Sequence, residues 1–395
     1  MKKCDIKRYY ICNELLNKVS ALSISTLLFA ATCHGALTET NVFTSKHHDF
    51  SVKTILTNLD NPWGLAFSNP DVALISQKNG EILRFNLLKN QLIKLSVPVE
   101  VSRCGQGGLM DIALHPDFET NQLIYFSFSK RRAGNCGTEV ARAKLTGNGL
   151  ENPETIFIAN SKNKDPRHFG SRLLFLHDKT LIITLGDRGH RPNGQDIKTH
   201  PGSIIRVNDD GSPVDDNPFS KSENPDVRKV FSWGHRNVQG VALQGKSVWA
   251  VEHGPMGGCE LNLIHPGKNY GWADVTYGRN YVTGSKIGLG IETKEGIENP
   301  IYQWTPSNAP SSLMIYDENT FPKWRGSFFV TSLTYNVITR LDFNGSTVGS
   351  EERLLDGKYG RLRLVTTNSD GFIYVLTDGS NAKLLKIAPI IKKIF

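Results

Sequence analysis

The sequence predicts an all-β fold, six four-stranded antiparallel blades around a central channel, and three observations predict it. Short apolar or alternating runs recur along the chain with almost no helical periodicity. Its 36 glycines and 18 prolines are spread without a collagen-like period, which suits many turns rather than long helices. Asn-Gly and Asp-Gly pairs punctuate the runs, and their glycines accept the positive φ of tight hairpins.

The runs are VALIS (72–76), ILRF (82–85), LIYFSF (123–128), LIITL (181–185), SIIRV (203–207), SVWAV (247–251), SFFVT (327–331) and FIYVL (372–376). Hairpin signals stand at Asn79-Gly80, Asp210-Gly211, Asn344-Gly345 and Asp370-Gly371. A recurring order of polar loop, β run, turn and second β run divides the chain after its N-terminal segment into six units of roughly 60 residues, as propeller blades require. A pair of β-sandwiches is the alternative that periodicity leaves open. The stretches 209–226 and 273–311 exceed plain connectors and point to a functional face.

Residues 1–36 stand apart. Lys2, Lys3, Lys7 and Arg8 precede the apolar stretch ALSISTLLFAA, and small residues lead to Ala36, the order of a secretory signal. Its apolar core is shorter than the ~20 residues that span a bilayer, which weighs against an uncleaved anchor; lipidation at Cys33 is a further alternative. The expected organisation is thus a signal (1–36) and a propeller domain (37–395), exported to the periplasm or secreted, with no membrane span in the mature chain.

The signal carries +3 of the formal net charge of +8, so about +5 remains. The remaining basic residues are dispersed among acids and are not interleaved with aromatics, which argues against nucleic acid as a partner. Of six cysteines, three fall in the signal, leaving Cys104, Cys136 and Cys259. In an oxidising compartment Cys104 and Cys136, both in Gly-rich loops, form the expected pair. No Cys/His spacing of the zinc type occurs.

Several polar groups could carry chemistry. His168 lies in DPRHFGSRL and Asp187 ends a strand in TLGDRGHRPNGQD. A neutral imidazole can accept a proton from a substrate hydroxyl while a carboxylate on its other nitrogen fixes the tautomer. Arg236 and Asn237 follow an aromatic run in FSWGHRNVQG, where the arginine is either a turn salt bridge or a fixed cation for developing negative charge. Arg361 and Arg363 in GRLRLV share one side of a strand, and two such cations invite an anion between them, so a polyanionic ligand is expected. EHGPMGGCELN (252–262) follows SVWAV with a backbone left bare by glycines and a proline.

NPWGLAF, CGQGGLMDIALHPDF, HFGSRL, GQD, DGSPVDDNPF, WGHRNVQG, EHGPMGGCELN, GKNYGWADVTYG, APSS and DGFIYVLTD occur in an order that resembles the soluble glucose/sorbosone dehydrogenases that depend on pyrroloquinoline quinone (PQQ), particularly the periplasmic aldose sugar dehydrogenase branch. The resemblance covers roughly residues 50 to 390, and ten motifs in order are far more specific than any one.

The resemblance implies a six-bladed propeller with PQQ on one face and calcium beside it, oxidising the C1 hydroxyl of aldoses to aldonolactones. It implies His168 as general base with hydride passing to C5 of PQQ, and Asp187 as the orienting acid. Gln106, Arg236, Asn237, Arg361 and Arg363 fall on cofactor-contacting positions, with Arg236 also counted among the catalytic groups. The carbonyls of Gly254 and Pro255 match calcium ligands, and Glu260 and Tyr270 match a second, structural calcium.

Three departures stand out: Cys259 replaces an Asp, Thr334 replaces a lysine, and Leu364 replaces an Asp. They bear on the second metal site and on cofactor affinity. A degenerate sugar- or quinone-binding propeller is the second reading, and a calcium-dependent lactone hydrolase the third. The sugar, the electron acceptor and the choice between monomer and homodimer are not legible.

Overall fold

The computed structural model describes residues 40–390, apart from 162, 163 and 346. The expected signal, with Cys4, Cys12 and Cys33, lies outside the described residues.

Side chains of a strand alternate between the two faces of its sheet. In this chain both faces are covered by neighbouring sheets, so the runs read as continuous apolar stretches. Leu181–Thr184 is buried at every position, and Val72–Gln77 at all but the first. Among the described residues the strands form six antiparallel sheets in sequence order, a six-bladed β-propeller as expected. Five sheets have four strands each. The sixth joins Leu362–Thr367, Ile373–Thr377 and Ala382–Pro389 to Asp49–Leu59 from the N-terminal side, with Thr40–Thr44 as a fifth, outermost strand. Pairing Asp49–Leu59 with Ala382–Pro389 closes the ring by uniting the two ends of the described chain, which removes the exposed edge of an open sheet.

The innermost strands are Pro62–Asn69, Leu109–Leu114, Leu173–Phe175, Val238–Gln244, Pro310–Ile315 and Leu362–Thr367, and each packs on the next around the ring. Six apolar clusters fill the six seams between blades. Leu74, Leu109 and Phe126 lie between the first and second, and Trp249, Val251 and Phe328 between the fourth and fifth. The closing seam, between the fifth and sixth blades, holds Phe50, Phe321, Trp324 and Phe329.

All eight predicted runs are strands. Asn79-Gly80, Asn344-Gly345 and Asp370-Gly371 join consecutive strands, whereas Asp210-Gly211 turns inside the long loop after Ser203–Val207. The stretch 273–311 is not loop throughout: Tyr302–Trp304 completes the fourth blade within it, and the fifth begins at Pro310. Cys104 and Cys136 are disulfide-bonded, as expected.

Candidate functional site

In each antiparallel blade the start of the innermost strand and the end of the second strand lie at the same end of the ring. The sequence places its polar motifs at those positions. Gln106 precedes Leu109–Leu114, His168 precedes Leu173–Phe175, Arg236 and Asn237 precede Val238–Gln244, and Arg361 and Arg363 open the last blade. Asp187 follows Leu181–Thr184. All of these except Asp187 line one cavity of about 400 Å³, and Asp187 lies directly behind its wall.

His168 is buried and adopts φ +54°. Its Nδ1–H donates to Asp187 Oδ1 at 2.6 Å, which leaves Nε2, with no partner among the described residues, as the acceptor facing the cavity. Gln106 Oε1 accepts from the His168 backbone N–H at 2.9 Å, and Asp187 Oδ2 accepts from the Trp272 indole at 2.7 Å. Burial lowers the His168 pKa below the ordinary imidazole value, with Asp187 opposing and the nearby Arg236 charge adding to the shift. Burial alone would raise the Asp187 carboxyl, but the hydrogen bond and charge of His168, with Arg236 and the Gly189 N–H, more than offset it and hold it low. The pair is therefore a neutral imidazole on an ionised carboxylate, the arrangement of a general base.

Arg236 is fixed from two sides. Its backbone N–H donates to Glu252 Oε2 at 2.7 Å and its Nη1 to the His253 carbonyl at 3.1 Å, while its guanidinium lies 5.3 Å from the Trp272 ring centre. Its Nε is buried without a hydrogen-bond partner among the described residues, which marks a place for a ligand acceptor. Asn237 Oδ1 accepts from the Gly170 N–H at 3.2 Å, which ties the His168 loop to the next blade.

The anion expected between Arg361 and Arg363 turns out to be part of the protein. Arg361 Nε meets Asp378 Oδ2 at 2.9 Å, and Arg363 meets Oδ1 at 3.0 and 2.9 Å. The arginines thus need no external ion to coexist. The cavity nevertheless keeps an excess of positive charge, since among the described residues Lys78, Arg167, Arg236, Arg361 and Arg363 line it against one carboxylate, Asp378. Asp378, Trp272 and Lys78 are site residues that the sequence reading did not assign. Asp378 ends the motif DGFIYVLTD and Trp272 lies in GKNYGWADVTYG, but neither motif by itself says which partner it meets.

The departures resolve individually. Thr334 is exposed and does not line the cavity, and Leu364 packs in the seam between the sixth and first blades. Cys259 is fully buried; its sulfur lies 2.9 Å from Ser307 Oγ and accepts from the Gly254 N–H at 3.4 Å. Its thiol therefore braces the Gly254 loop.

Gly254 and Glu260 border a second, much smaller cavity of about 10 Å³ together with Glu252 and Tyr270. Asn262 Nδ2 bridges the two carboxylates at 3.1 and 3.0 Å, and burial followed by the charge of Glu252 pushes Glu260 up to about 8. The Tyr270 hydroxyl donates to the Leu263 carbonyl at 2.6 Å, so its side chain is already committed. The Pro255 carbonyl accepts from the Arg279 N–H at 2.9 Å, and Pro255 does not border this small cavity. Among the described residues no three His, Cys, Asp or Glu side chains converge as a metal cluster.

A groove of about 660 Å³ between the first two blades is larger than the His168 cavity. Arg84, its cation, is spent on the carbonyls of Thr146 and Gly147 at 3.1 and 3.2 Å, and among the described residues lining the groove no histidine stands beside its carboxylate Glu119, so the smaller cavity is the candidate site.

The model of the glucose/sorbosone dehydrogenase family matches residues 59–386, which is nearly the whole propeller. The chain belongs to the glucose/sorbosone dehydrogenase family. A relative within it, the aldose sugar dehydrogenase YliI of Escherichia coli, is 37% identical over 347 residues, 86% of this chain and 93% of the relative. The solved apo-form of the soluble aldose sugar dehydrogenase from Escherichia coli superposes with TM-score 0.81 at 35% identity, covering 86% of this chain and all of that one. The PQQ-bound aldose sugar dehydrogenase from Streptomyces coelicolor gives 0.70 at 27% identity, with 89% and 99% covered. Membership agrees with the ordered motifs and with the site lying where the blades present their loops.

Proposed function

We propose that this glucose/sorbosone dehydrogenase family member oxidises the C1 hydroxyl of aldose sugars to aldonolactones in the His168 cavity, with PQQ as electron acceptor. The observation that carries the reading is the His168–Asp187 pair opening onto a cavity walled by five cations. Its volume of about 400 Å³ lies in the range for small cofactors. The donor set suits a polycarboxylate quinone: the buried Nε of Arg236 lacks an acceptor, and positive charge exceeds negative.

His168 Nε2 takes the proton of the sugar hydroxyl as the C1 hydride leaves. Asp187 keeps Nδ1 protonated and stabilises the imidazolium that forms. Arg236, Asn237, Gln106, Arg361 and Arg363 hold and orient the cofactor, and Arg236, beside His168, stabilises negative charge developing on oxygen. PQQ, when bound, supplies a two-electron carbonyl acceptor for the hydride. The electron acceptor that follows is a separate partner.

Calcium suits the Gly254 end of the site. The Gly254 carbonyl has no hydrogen-bond donor among the described residues, and a hard cation prefers such oxygens. Pro255 would contribute the remaining lone pair of its carbonyl. Glu260, beside Glu252, would supply carboxylate oxygen for a second ion, with Tyr270 offering only its backbone carbonyl there. Cys259 binds no metal in this reading.

The disulfide supports export to an oxidising compartment, periplasmic or extracellular. No helix of the described residues is long and apolar enough to cross a membrane.

The test is an absorbance titration of the purified protein with PQQ at saturating calcium, followed by aldose-dependent reduction of an artificial dye. Saturable PQQ binding with turnover is expected. No PQQ binding overturns the reading, and PQQ binding without turnover on any aldose favours the binding propeller instead.

A further inference from the structure

Lys78 follows the second strand of the first blade, Val72–Gln77, in the turn that ends at Asn79-Gly80. Its stem is held in place. The Lys78 N–H donates to the Asn61 carbonyl at 3.2 Å, and its own carbonyl accepts from the Leu109 N–H at 3.3 Å. Gly108, at φ +146°, packs so closely that a β-carbon there would lie 2.5 Å from the Lys78 carbonyl oxygen and 2.9 Å from its Cβ. The side chain lines the His168 cavity on the seam between the sixth and first blades.

The lysine ammonium forms no ion pair and no hydrogen bond among the described residues. The other basic groups on the walls are at least partly engaged: Arg167 by Asp165, Arg361 and Arg363 by Asp378, and Arg236 by the His253 carbonyl. A half-buried ammonium that lines the cavity beside the Arg363 charge, with no protein partner among the described residues, is placed to receive an anion entering the cavity.

We propose that Lys78 is a cofactor-anchoring residue that binds an anionic oxygen, a carboxylate of the quinone, at the Asp378 end of the cavity. The inference rests on the reading of this cavity as the PQQ site. It adds a contact from the first blade to those assigned from the motifs, on the side of the ring opposite Arg236. Thr334, which is exposed and outside the walls, offers no cation in its stead.

The charged groups facing Lys78 are Arg363, Asp378, Arg103 and Arg361. Burial, followed by the Arg363 charge, lowers its pKa to about 8, with Asp378 opposing. An anion bound by the ammonium favours the protonated form, so affinity is full below about 8 and declines as pH rises through that value. His168 and His253 line the same cavity with pKa values below the ordinary imidazole value, so neither changes charge in that window.

The experiment titrates the full chain with PQQ at saturating calcium, following absorbance, from about pH 7 to about pH 9.5, the range that brackets a lowered lysine. Wild type should bind and weaken as pH passes about 8. Lys78→Met should bind about tenfold or more weakly near neutrality, as expected for loss of a charged hydrogen bond, and should lose the fall around pH 8. Lys78→Arg should bind like wild type near neutrality and show no fall, because its charge persists; this variant decides the matter if Lys78→Met proves unstable. Unchanged affinity in Lys78→Met, or a fall that persists in Lys78→Arg, overturns the role of Lys78 while leaving the PQQ site intact. Absence of PQQ binding by wild type overturns the site reading, and the anchoring role with it.

Discussion

The carbonyl oxygen of His168 occupies the space that a β-carbon on Gly186 would need, 2.3 Å from its ideal position. Gly186 also lies beside Asn237 Oδ1, at 2.9 Å from the same point, so one bare backbone position lets the base loop and its clamp converge. His168 and Ser171 hold φ values of +54° and +81°, which β-carbon-bearing residues seldom adopt. The surrounding contacts therefore impose the loop conformation, and the base is aimed by packing as much as by its hydrogen bonds.

Gly186→Ala should displace the His168 loop. Overpacking at such a site costs about 1–3 kcal/mol of stability, and a shift of the order of 1 Å in a catalytic group costs about 100-fold in rate. Thermal melting and the PQQ titration, run beside the dye assay, check this. A variant that melts lower, still binds PQQ and has lost most of its turnover fits the packing account; full activity would show that the loop tolerates the side chain.

Asp187→Asn separates orientation from affinity. Asp187 raises the His168 pKa against the stronger effect of burial, so its removal lowers that pKa further. The rate rises with pH as the base loses its proton, and in wild type this acid limb lies below 6.5, the ordinary imidazole value. In the variant the limb should move to lower pH, while the plateau falls by about 100-fold to 10000-fold, the range for a misoriented or missing general base. A pH–rate profile for each protein checks both effects. An acid limb that moves to higher pH would contradict the assigned pair.

The disulfide supports the same loop. The Cys136 carbonyl accepts from Arg188 Nη2 at 2.9 Å, and the Arg188 guanidinium lies 3.5 Å from the Phe169 ring centre and also bonds the Arg167 carbonyl. Cys104, Cys136 and Phe169 share one apolar cluster with Trp63 and Met110. With the linked cysteines 32 positions apart in sequence, opening the bond in Cys104→Ser/Cys136→Ser should cost about 3–4 kcal/mol on the chain-entropy account. Melting with and without reductant measures the stability term. PQQ affinity should fall in the same variant, because the residues flanking His168 lose their brace.

How far the sequence could be read depends on where each strand points. The apolar runs lie mainly on middle strands covered on both faces, and those were legible. The innermost strands were harder to see because they carry polar groups at the axis: Asp111 in LMDIAL, Gln239 in VQGVALQ, and Ser311 and Ser312 in PSSLMI. His168, Asp187, Arg236 and the two arginines were found because they stand in distinctive motifs at strand ends. Asp378 was not, since its pairing with Arg361 and Arg363 bridges 17 and 15 residues and exists only once the last blade has folded. Lys78 reads in sequence as an ordinary residue before a turn, and only the ring places it among the cations.

At the hub, Arg172 joins five blades. Its Nη1 lies 3.0 Å from Asp111 Oδ1, its Nε donates to the Gln239 carbonyl and its Nη2 to the Ser311 carbonyl, both at 2.7 Å, and its guanidinium stacks 3.9 Å from the Trp63 ring centre. Burial pulls the guanidinium down and pushes the Asp111 carboxyl up, each opposed by the charge of the other. Both side chains are buried, and each is the other's charge partner. Arg172→Met should therefore cost about 3–5 kcal/mol, chiefly by leaving Asp111 buried and unpaired. Arg172→Met/Asp111→Leu removes both charges and should recover part of that loss, although the carbonyls of Gln239 and Ser311 still lose their donors. Denaturant unfolding of the two variants and of Asp111→Leu alone closes the cycle. A double variant no more stable than Arg172→Met would locate the cost in the lost carbonyl contacts and remove the ion pair from the account of what holds the ring together.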